Sequence, residues 1–190
     1  MTDMQISPMT ELEAVNEMLS AINESPISTL EGMNDIDAIN AQKLLATINR
    51  QFQARGWSFN HFESYTFNPD SYYKKIYWLD TILYIKADNK YIKRGKFMYD
   101  LTNNTFYFPS PITADVILLT DFEDMPESAR EYIVAKASTE FAMRYLGDPI
   151  LLEGLKMREQ EAWTYFNEYE HTNNTYNMLS NTYISGLKQR

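Results

Sequence analysis

Few side chains in this sequence belong to the types that usually carry out chemistry. The 190 residues include two histidines, His61 and His171, and no cysteine. The lack of cysteine excludes disulfides, thiolate nucleophiles and cysteine-ligated zinc. Neither histidine has a carboxylate and a second histidine at metal-ligand spacing, so both are predicted to be structural, with no metal and no cofactor. The usual nucleotide-binding, zinc-protease and serine-hydrolase motifs are absent too.

Carboxylates cluster at one point of the chain, at Asp121, Glu123, Asp124 and Glu127. Paired carboxylates catalyse glycoside hydrolysis, so this cluster leaves open a hydrolase that acts on polysaccharide. Acidic residues at the start of a helix also stabilise its free N–H groups and its dipole, and we favour that interpretation. No catalytic residue is therefore assigned.

Basic and aromatic residues alternate in the middle of the chain. The cations are Lys86, Lys90, Lys93, Arg94 and Lys96, and the aromatic residues are Tyr91, Phe97 and Tyr99. Single-strand nucleic-acid binders have such surfaces. The whole chain, however, has a net charge of −9, which repels phosphate. We therefore favour a solvated strand face or an interface with an acidic protein.

Two amphipathic helices are predicted in the first 56 residues to position these groups. A capping box starts the first helix at Thr10, and this helix ends near Pro26. The second begins at Asn34 or Asp35 and stops at Gly56. Apolar residues recur every three or four positions in both helices, so each is expected to bury one face.

Two further helices are predicted after residue 120. Asp124 is expected to cap the third helix, with Pro126 in its first turn and Gly147 at its end. The fourth begins at Pro149, and its regular pattern stops after His171. The remaining residues are too polar for a core and too apolar for a solubilising tail, which predicts an irregular docking arm.

The intervening segment has the composition of β-structure, rich in Tyr, Phe, Ile and Thr and broken by Asn, Asp and Pro. Aromatic residues at odd positions from Trp57 to Phe67 indicate a half-buried strand. Further strands are predicted at Thr81–Lys86, Lys90–Lys93, Lys96–Leu101, Thr105–Phe108 and Asp115–Leu119. The predicted class is α+β, a four-helix bundle interrupted by a small antiparallel or mixed β-sheet insertion, with an extended C-terminal arm. The predicted domains are 1–56 with 121–171 (bundle), 57–120 (β-rich insertion) and 172–190 (arm).

The N-terminus, the apolar runs and the aromatic content bear on localisation and self-association. The N-terminus lacks an export signal, and the apolar runs are shorter than the roughly 18 residues that span a bilayer, so we expect a cytoplasmic product without membrane contact. The 14 Tyr, 10 Phe and 10 Met residues exceed the needs of a four-helix core. They indicate either oligomerisation or two separate small cores.

Several segments resemble tail tubular protein A of podoviruses, the short-tailed bacteriophages. They are Ala14–Ile22, Pro26–Gly32, Asn49–Asn60, Asp124–Glu127, Ile133–Ser138, Tyr176–Leu179 and Ser185–Leu187. The resemblance runs nearly from end to end and is weak at 68–120.

The resemblance implies a non-enzymatic protein of the virion tail, made in the cytoplasm of the host bacterium. Twelve copies of such a protein form a ring that connects the portal to a nozzle of tail tubular protein B, with tail fibres nearby. DNA passes through the ring without sequence-specific binding, and an acidic wall would repel its phosphates. Two alternatives stay open: a tail-associated hydrolase acting on host surface polysaccharide, and a small cytoplasmic binding module.

The resemblance also implies a division of the chain among partners. Helices pack side by side in the ring, and the arm reaches the portal through Tyr176, Met178, Leu179, Tyr183, Ile184 and Leu187. By its position, the β insertion faces the nozzle or fibre proteins, through Tyr91, Lys93, Arg94, Lys96 and Phe97.

Overall fold

A computed structural model describes residues 7–32, 34–87 and 90–180, and side chains up to residue 173. The described helices are α1 (Glu11–Ser20), α2 (Ile36–Gln53), α3 (Glu127–Tyr145) and α4 (Pro149–Ser180), with a short 3-10 helix at Phe122–Asp124. The described strands are β1 (His61–Phe67), β2 (Ile82–Lys86), β3 (Tyr91–Arg94), β4 (Phe97–Asp100) and β5 (Ile112–Leu118). The predicted α+β class, with four helices and small antiparallel sheets, is confirmed.

The chain divides into two compact units. The helical unit comprises Met1–Phe52 and Asp121–Arg190, and the β unit comprises Gln53–Thr120. The helical unit contains all four helices, and the β unit contains all five described strands.

The capping box at Thr10 is confirmed. The Thr10 hydroxyl accepts a hydrogen bond from the Glu13 N–H at 3.2 Å, and the Glu13 carboxylate accepts one from the Thr10 N–H at 2.8 Å. The bond from the Thr10 N–H to the carboxylate, together with a second one from the Thr10 hydroxyl at 3.0 Å, lowers the pKa of Glu13. The helix ends at Ser20, earlier than predicted, and the chain then turns through Asn23 at a φ of 62°.

Contacts of aromatic side chains show in which direction the helices of the helical unit run. At one end of α2, the Asn40 side chain donates to the Tyr145 hydroxyl of α3 at 2.9 Å. At the other end, the Phe52 ring lies 5.4 Å from that of Tyr132 on α3 and 5.0 Å from that of Phe166 on α4. Helix α3 is therefore antiparallel to α2. Because a short turn at Gly147 reverses the chain again, α4 runs parallel to α2.

Two further helix-boundary predictions were wrong. Asp124 does not cap α3: it lies in the 3-10 helix, and Pro126 occupies the cap position with no side-chain capping bond. Regular structure does not stop at His171, because α4 continues to Ser180. The Thr172 hydroxyl donates to the Glu168 carbonyl at 2.8 Å, so this polar residue is accommodated within the helix. Residues 181–190 of the predicted arm lie outside the described residues.

The β unit has a three-stranded antiparallel sheet in the order β1-β5-β2 and a hairpin of β3 and β4. They enclose one apolar core of Phe67, Ile76, Met98, Phe108, Ala114 and Val116. Strand β1 has a bulge at which Ser64 takes a φ of 56° and donates its N–H to Asp115.

Two strand predictions in the β unit were wrong. Residues 57–60 form a turn, so β1 starts only at His61. In the predicted strand Thr105–Phe108, only Thr105 makes a bridge, to Asp100. The Asp100 carboxylate accepts from the N–H groups of Thr102 and Asn103 and so directs a tight turn.

Buried amides hold together the two chain ends of the β unit. Gln53 donates to the Thr120 carbonyl and accepts from the Thr120 N–H, both at 2.8 Å. The fully buried Asn60 side chain donates to the carbonyls of Gln53 and Leu118, each at 3.0 Å. Buried amides are stable only when they are paired in this way. The start and the end of the β unit are therefore fixed side by side.

Candidate functional site

The β3–β4 hairpin carries the predicted nozzle or fibre residues. Its strands pair Arg94 with Phe97, so the loop between them is only Gly95 and Lys96. Gly95 has a φ of 62°, a value that glycine tolerates and that two-residue hairpin loops require. The loop therefore places Lys96 at the tip, exposed to solvent.

The five predicted residues do not form one surface. Residues directly opposite each other on antiparallel strands share a face. Lys93 is opposite the core residue Met98, so Tyr91 and Lys93 belong to the core side of the hairpin. Arg94 and Phe97 belong to the other side, here called the outer face. Only these two, with Lys96 at the tip, are brought together.

The outer face is built from interleaved cations and aromatic rings. The Arg94 guanidinium lies 3.8 Å from the centre of the Tyr99 ring, and that ring lies 4.8 Å from Phe106. The Lys75 ammonium lies 5.1 Å from Phe97 and 5.8 Å from Phe106. Stacking of this kind holds cations in place while leaving them partly hydrated.

Three members of the outer face were not among the residues predicted from the sequence, namely Lys75, Tyr77 and Phe106. The Tyr77 ring lies 4.8 Å from Phe97, and an isolated β-bridge joins the two residues. Tyr77 and Lys75 lie about twenty residues before β4 in a segment without a strand pattern. Their place beside β4 follows from the tertiary fold, and no local signal indicated it.

Lys93 is already paired with another residue of the β unit. Its ammonium lies 2.7 Å from the Asp80 carboxylate, and this hydrogen bond and charge lower the pKa of Asp80. Arg94 and Lys96 form no ion pair within the described residues. Of the three predicted cations, Arg94 and Lys96 are thus the two that have no ion pair in the described part of the chain.

Tyrosine is unusually exposed in the β unit. Five tyrosine side chains are between 54% and 82% exposed, namely Tyr72, Tyr73, Tyr77, Tyr84 and Tyr107. The β unit contains 8 basic and 6 acidic residues, whereas the helical unit contains 9 basic and 20 acidic ones. Exposed tyrosine combined with a small positive charge is typical of a protein-binding surface.

The acidic cluster does not have the arrangement of a catalytic pair. Glu127 accepts the Met9 N–H with both carboxylate oxygens and forms an ion pair with Arg130 at 3.0 Å. Asp121, Glu123 and Asp124 lie on or beside the 3-10 helix with exposed side chains. Glu127 therefore anchors the chain that precedes α1.

The predicted portal-docking residues lie at or beyond the limit of the described side chains. The backbone of Tyr176, Met178 and Leu179 belongs to the last turns of α4, but their side chains are not described. Tyr183, Ile184 and Leu187 lie outside the described residues. Their role stays a prediction.

The structure also shows where the two histidines lie and bears on metal binding and membrane spans. His61 begins β1 and His171 lies in α4. In the described part of the chain, no group of three or more His, Asp or Glu side chains is placed to hold a metal ion. None of the described helices is long and apolar enough to cross a membrane.

Comparison with known proteins found a protein family and a bacteriophage protein that are similar to this chain. A family model described as tail tubular protein matches residues 12–176. Tail tubular protein A of Klebsiella phage KP34 is 30% identical to this chain over 140 residues. That alignment covers 73% of this chain and 75% of the phage protein.

Proposed function

The chain belongs to the tail tubular protein family, and on this basis we propose that it is a structural subunit of a bacteriophage tail. In this proposal, copies of the chain form an adaptor ring, a dodecamer in the virion, between the portal and a nozzle of tail tubular protein B. The observation that carries the proposal is the family match, which spans most of both units.

The helical unit is proposed to form the ring and the wall of the DNA channel. It has 20 acidic and 9 basic residues, so its net charge is −11. A wall with this charge repels DNA phosphates at close range and leaves no sequence-specific binding. DNA would therefore slide through the ring without adhering.

The outer face of the β3–β4 hairpin is proposed to bind the nozzle or a tail fibre. Arg94 and Lys96 offer cations that form no ion pair within the described residues, and Tyr77 adds an exposed ring. Charged residues at the edge of an interface steer association, while aromatic residues supply most of the buried area. An acidic patch on the partner fits this surface.

The C-terminal arm is proposed to bind the portal. Since α4 extends to Ser180, this proposal concerns the last turns of α4 and residues 181–190, which lie outside the described residues. Their sequence contains Tyr183, Ile184 and Leu187 together with Lys188 and Arg190 and no acidic residue. An apolar, basic segment suits an apolar pocket with an acidic rim.

Purified subunit mixed with portal rings and examined by electron microscopy tests the proposal. We expect a ring of twelve copies on one end of each portal. A chain that lacks residues 181–190 should keep the circular dichroism of the intact protein but fail to join the portal. If the intact chain left portal rings bare, the adaptor role would be wrong.

The proposed role is non-enzymatic. The hydrolase alternative needs two suitably spaced carboxylates, and Glu127 is already bound to the Met9 backbone and to Arg130. Incubation with capsular polysaccharide should release no reducing ends beyond a protein-free control. A release that disappears in a Glu127→Gln variant would instead support the hydrolase.

A further inference from the structure

One side of α4 is exposed from Ile150 to Glu168. The residues on this outer stripe are Ile150, Gly154, Met157, Glu161 and Glu168, which follow one another at intervals of four, three, four and seven residues. Ile150 is 83% exposed and Met157 is 60% exposed. The opposite side of α4 packs in the helical unit through the fully buried Phe166. The outer stripe thus combines apolar and acidic side chains that this chain leaves uncovered.

Gly154 is the unusual member of this stripe. Glycine inside a helix costs about 1 kcal/mol relative to alanine. A Cβ atom placed on Gly154 would meet nothing within 4 Å, so the packing of the single chain does not require a glycine there. The missing side chain leaves a hollow on the helix surface between Ile150 and Met157.

Helix α2 has an outer stripe of complementary chemistry. Ile36, Lys43 and Arg50 are spaced by seven residues and are exposed, while the buried side of α2 contains Leu45 and Ile48. Ile36 is 73% exposed although it opens the helix, where the Asp35 carboxylate caps the N–H groups of the first turn. This stripe has two positive charges and one large apolar side chain.

The two stripes match in charge and in spacing. Lys43 and Arg50 are seven residues apart, as are Glu161 and Glu168, so each pair spans about 10 Å along its helix. Within the described residues none of these four side chains forms an ion pair. Two exposed cations and two exposed carboxylates are therefore available at equal intervals.

The stripes also match in height and direction. Helices α2 and α4 run parallel in the helical unit, with the Phe52 and Phe166 rings 5.0 Å apart. Both helices rise by the same distance per residue, so equal numbers of residues before this contact lie at equal heights along the helix axes. Lys43 is therefore at the height of Met157, and Arg50 is at the height of Thr164. Each cation then lies within about one turn, roughly 6 Å, of Glu161 or Glu168. In the same way, Ile36 lies within about one turn of Gly154.

From these observations we infer that α2 of one copy packs alongside α4 of the next copy, through these two outer stripes. Ile36 enters the hollow at Gly154, and Lys43 and Arg50 pair with Glu161 and Glu168. The partner is a second copy of this chain, and the inference rests on the proposed ring. Because the two stripes differ, the contact is head-to-tail, the kind that closes into a ring when copies are related by rotation.

Two charge-reversal variants test this contact. K43E/R50E gives a subunit with two acidic stripes, and E161K/E168K gives one with two basic stripes. We expect each variant alone to add less than a tenth of the wild-type amount of subunit to portal rings, as measured by sedimentation. An equimolar mixture restores opposite charges at every contact, so it should assemble as the wild type does.

The matched control is E24K/E31K, which makes the same charge change at exposed positions between α1 and α2 of the helical unit. This control should assemble normally, and circular dichroism should show that all variants are folded. Normal assembly by each reversed variant alone, or no rescue on mixing folded variants, would overturn the inference while leaving the adaptor role intact. Failure of the wild type to self-associate or to bind the portal would overturn the proposed function instead.

Discussion

At the residue scale, Asp100 shows how one carboxylate shapes the β unit. Burial opposes its ionisation, but hydrogen bonds from Asn103 and Thr102 outweigh that effect and keep its pKa below the ordinary value. The ionised form is therefore favoured by folding. Its stabilising contribution is present above about pH 4 and is lost as the pH falls through the lowered pKa.

Asp100→Asn should consequently destabilise the protein at neutral pH and much less in acid. The amide cannot accept from Asn103 with both of its terminal atoms, so we expect a loss of about 1 to 2 kcal/mol at pH 7. Thermal unfolding at pH 7 and pH 3 measures this difference. Asp121→Asn, at an exposed position, is the matched control, and equal losses at the two pH values would contradict the explanation.

Arg94 and Lys96 lead to a prediction about partner binding. R94E/K96E should weaken nozzle or fibre attachment at least tenfold, because it reverses the two predicted interface cations that form no ion pair within the described residues. Portal binding should be unchanged. K86E/K90E changes the net charge of the β unit equally and should bind normally, as judged by co-sedimentation with tail tubular protein B and with fibre protein. Equal loss in both double variants would mean that only net charge matters.

At the element scale, Gly154 separates folding from assembly. Gly154→Ala should stabilise the isolated subunit by about 1 kcal/mol, a rise of about 2 to 4 °C in Tm, because alanine favours the helix and its methyl group has free space. The same methyl group should weaken ring assembly, and Gly154→Leu should abolish it. Tm and assembly on portal rings are measured on the same samples. Unchanged assembly of the Gly154→Leu variant would show that ring assembly does not require a glycine at this position.

The same scale shows what the sequence could predict. Local signals worked where one residue determines the geometry: Thr10 caps α1, and Gly147 ends α3 at a φ of 62°. They failed where the local structure depends on residues that are distant in the sequence. Asp124 has the chemistry of a cap but lies in a 3-10 helix, and Tyr77 and Lys75 reach the outer face only through the tertiary fold.

The role of the basic and aromatic segment of the β unit as an interface stays a prediction, but the structure shows how its residues are arranged. A basic and aromatic segment was expected, and strand pairing then divided it between the two faces of a hairpin. The division follows from the alternation of side chains along a strand. The sequence pattern does not show which distant residue will contact a given face, and here Lys93 forms an ion pair with Asp80 although its side chain stays 47% exposed.

At the scale of the whole molecule, charge is strongly segregated. The helical unit has a net charge of −11 and the β unit one of +2. Copies brought together in a ring therefore repel one another on average, and local pairs such as those proposed between α2 and α4 must overcome this repulsion. Both effects are electrostatic but differ in range.

Salt should therefore affect assembly in two phases. From 0.01 to 0.1 M NaCl the Debye length falls from about 30 to about 10 Å, which screens the long-range repulsion and should favour assembly. Toward 1 M it falls to about 3 Å, and the ion pairs weaken as well. Sedimentation across this series should show maximal assembly at intermediate salt. Assembly that rises steadily up to 1 M would instead indicate an apolar contact without functional ion pairs.

The paired amides of Gln53, Asn60 and Thr120 have an evolutionary consequence. Since the β unit starts and ends at residues that are hydrogen-bonded to each other, the chain leaves and re-enters the helical sequence at one place. Recombination between these two positions would replace the entire β unit as a cassette without changing the helices. Under the proposed role of the β unit in partner binding, a phage lineage could acquire a new binding surface in a single genetic exchange.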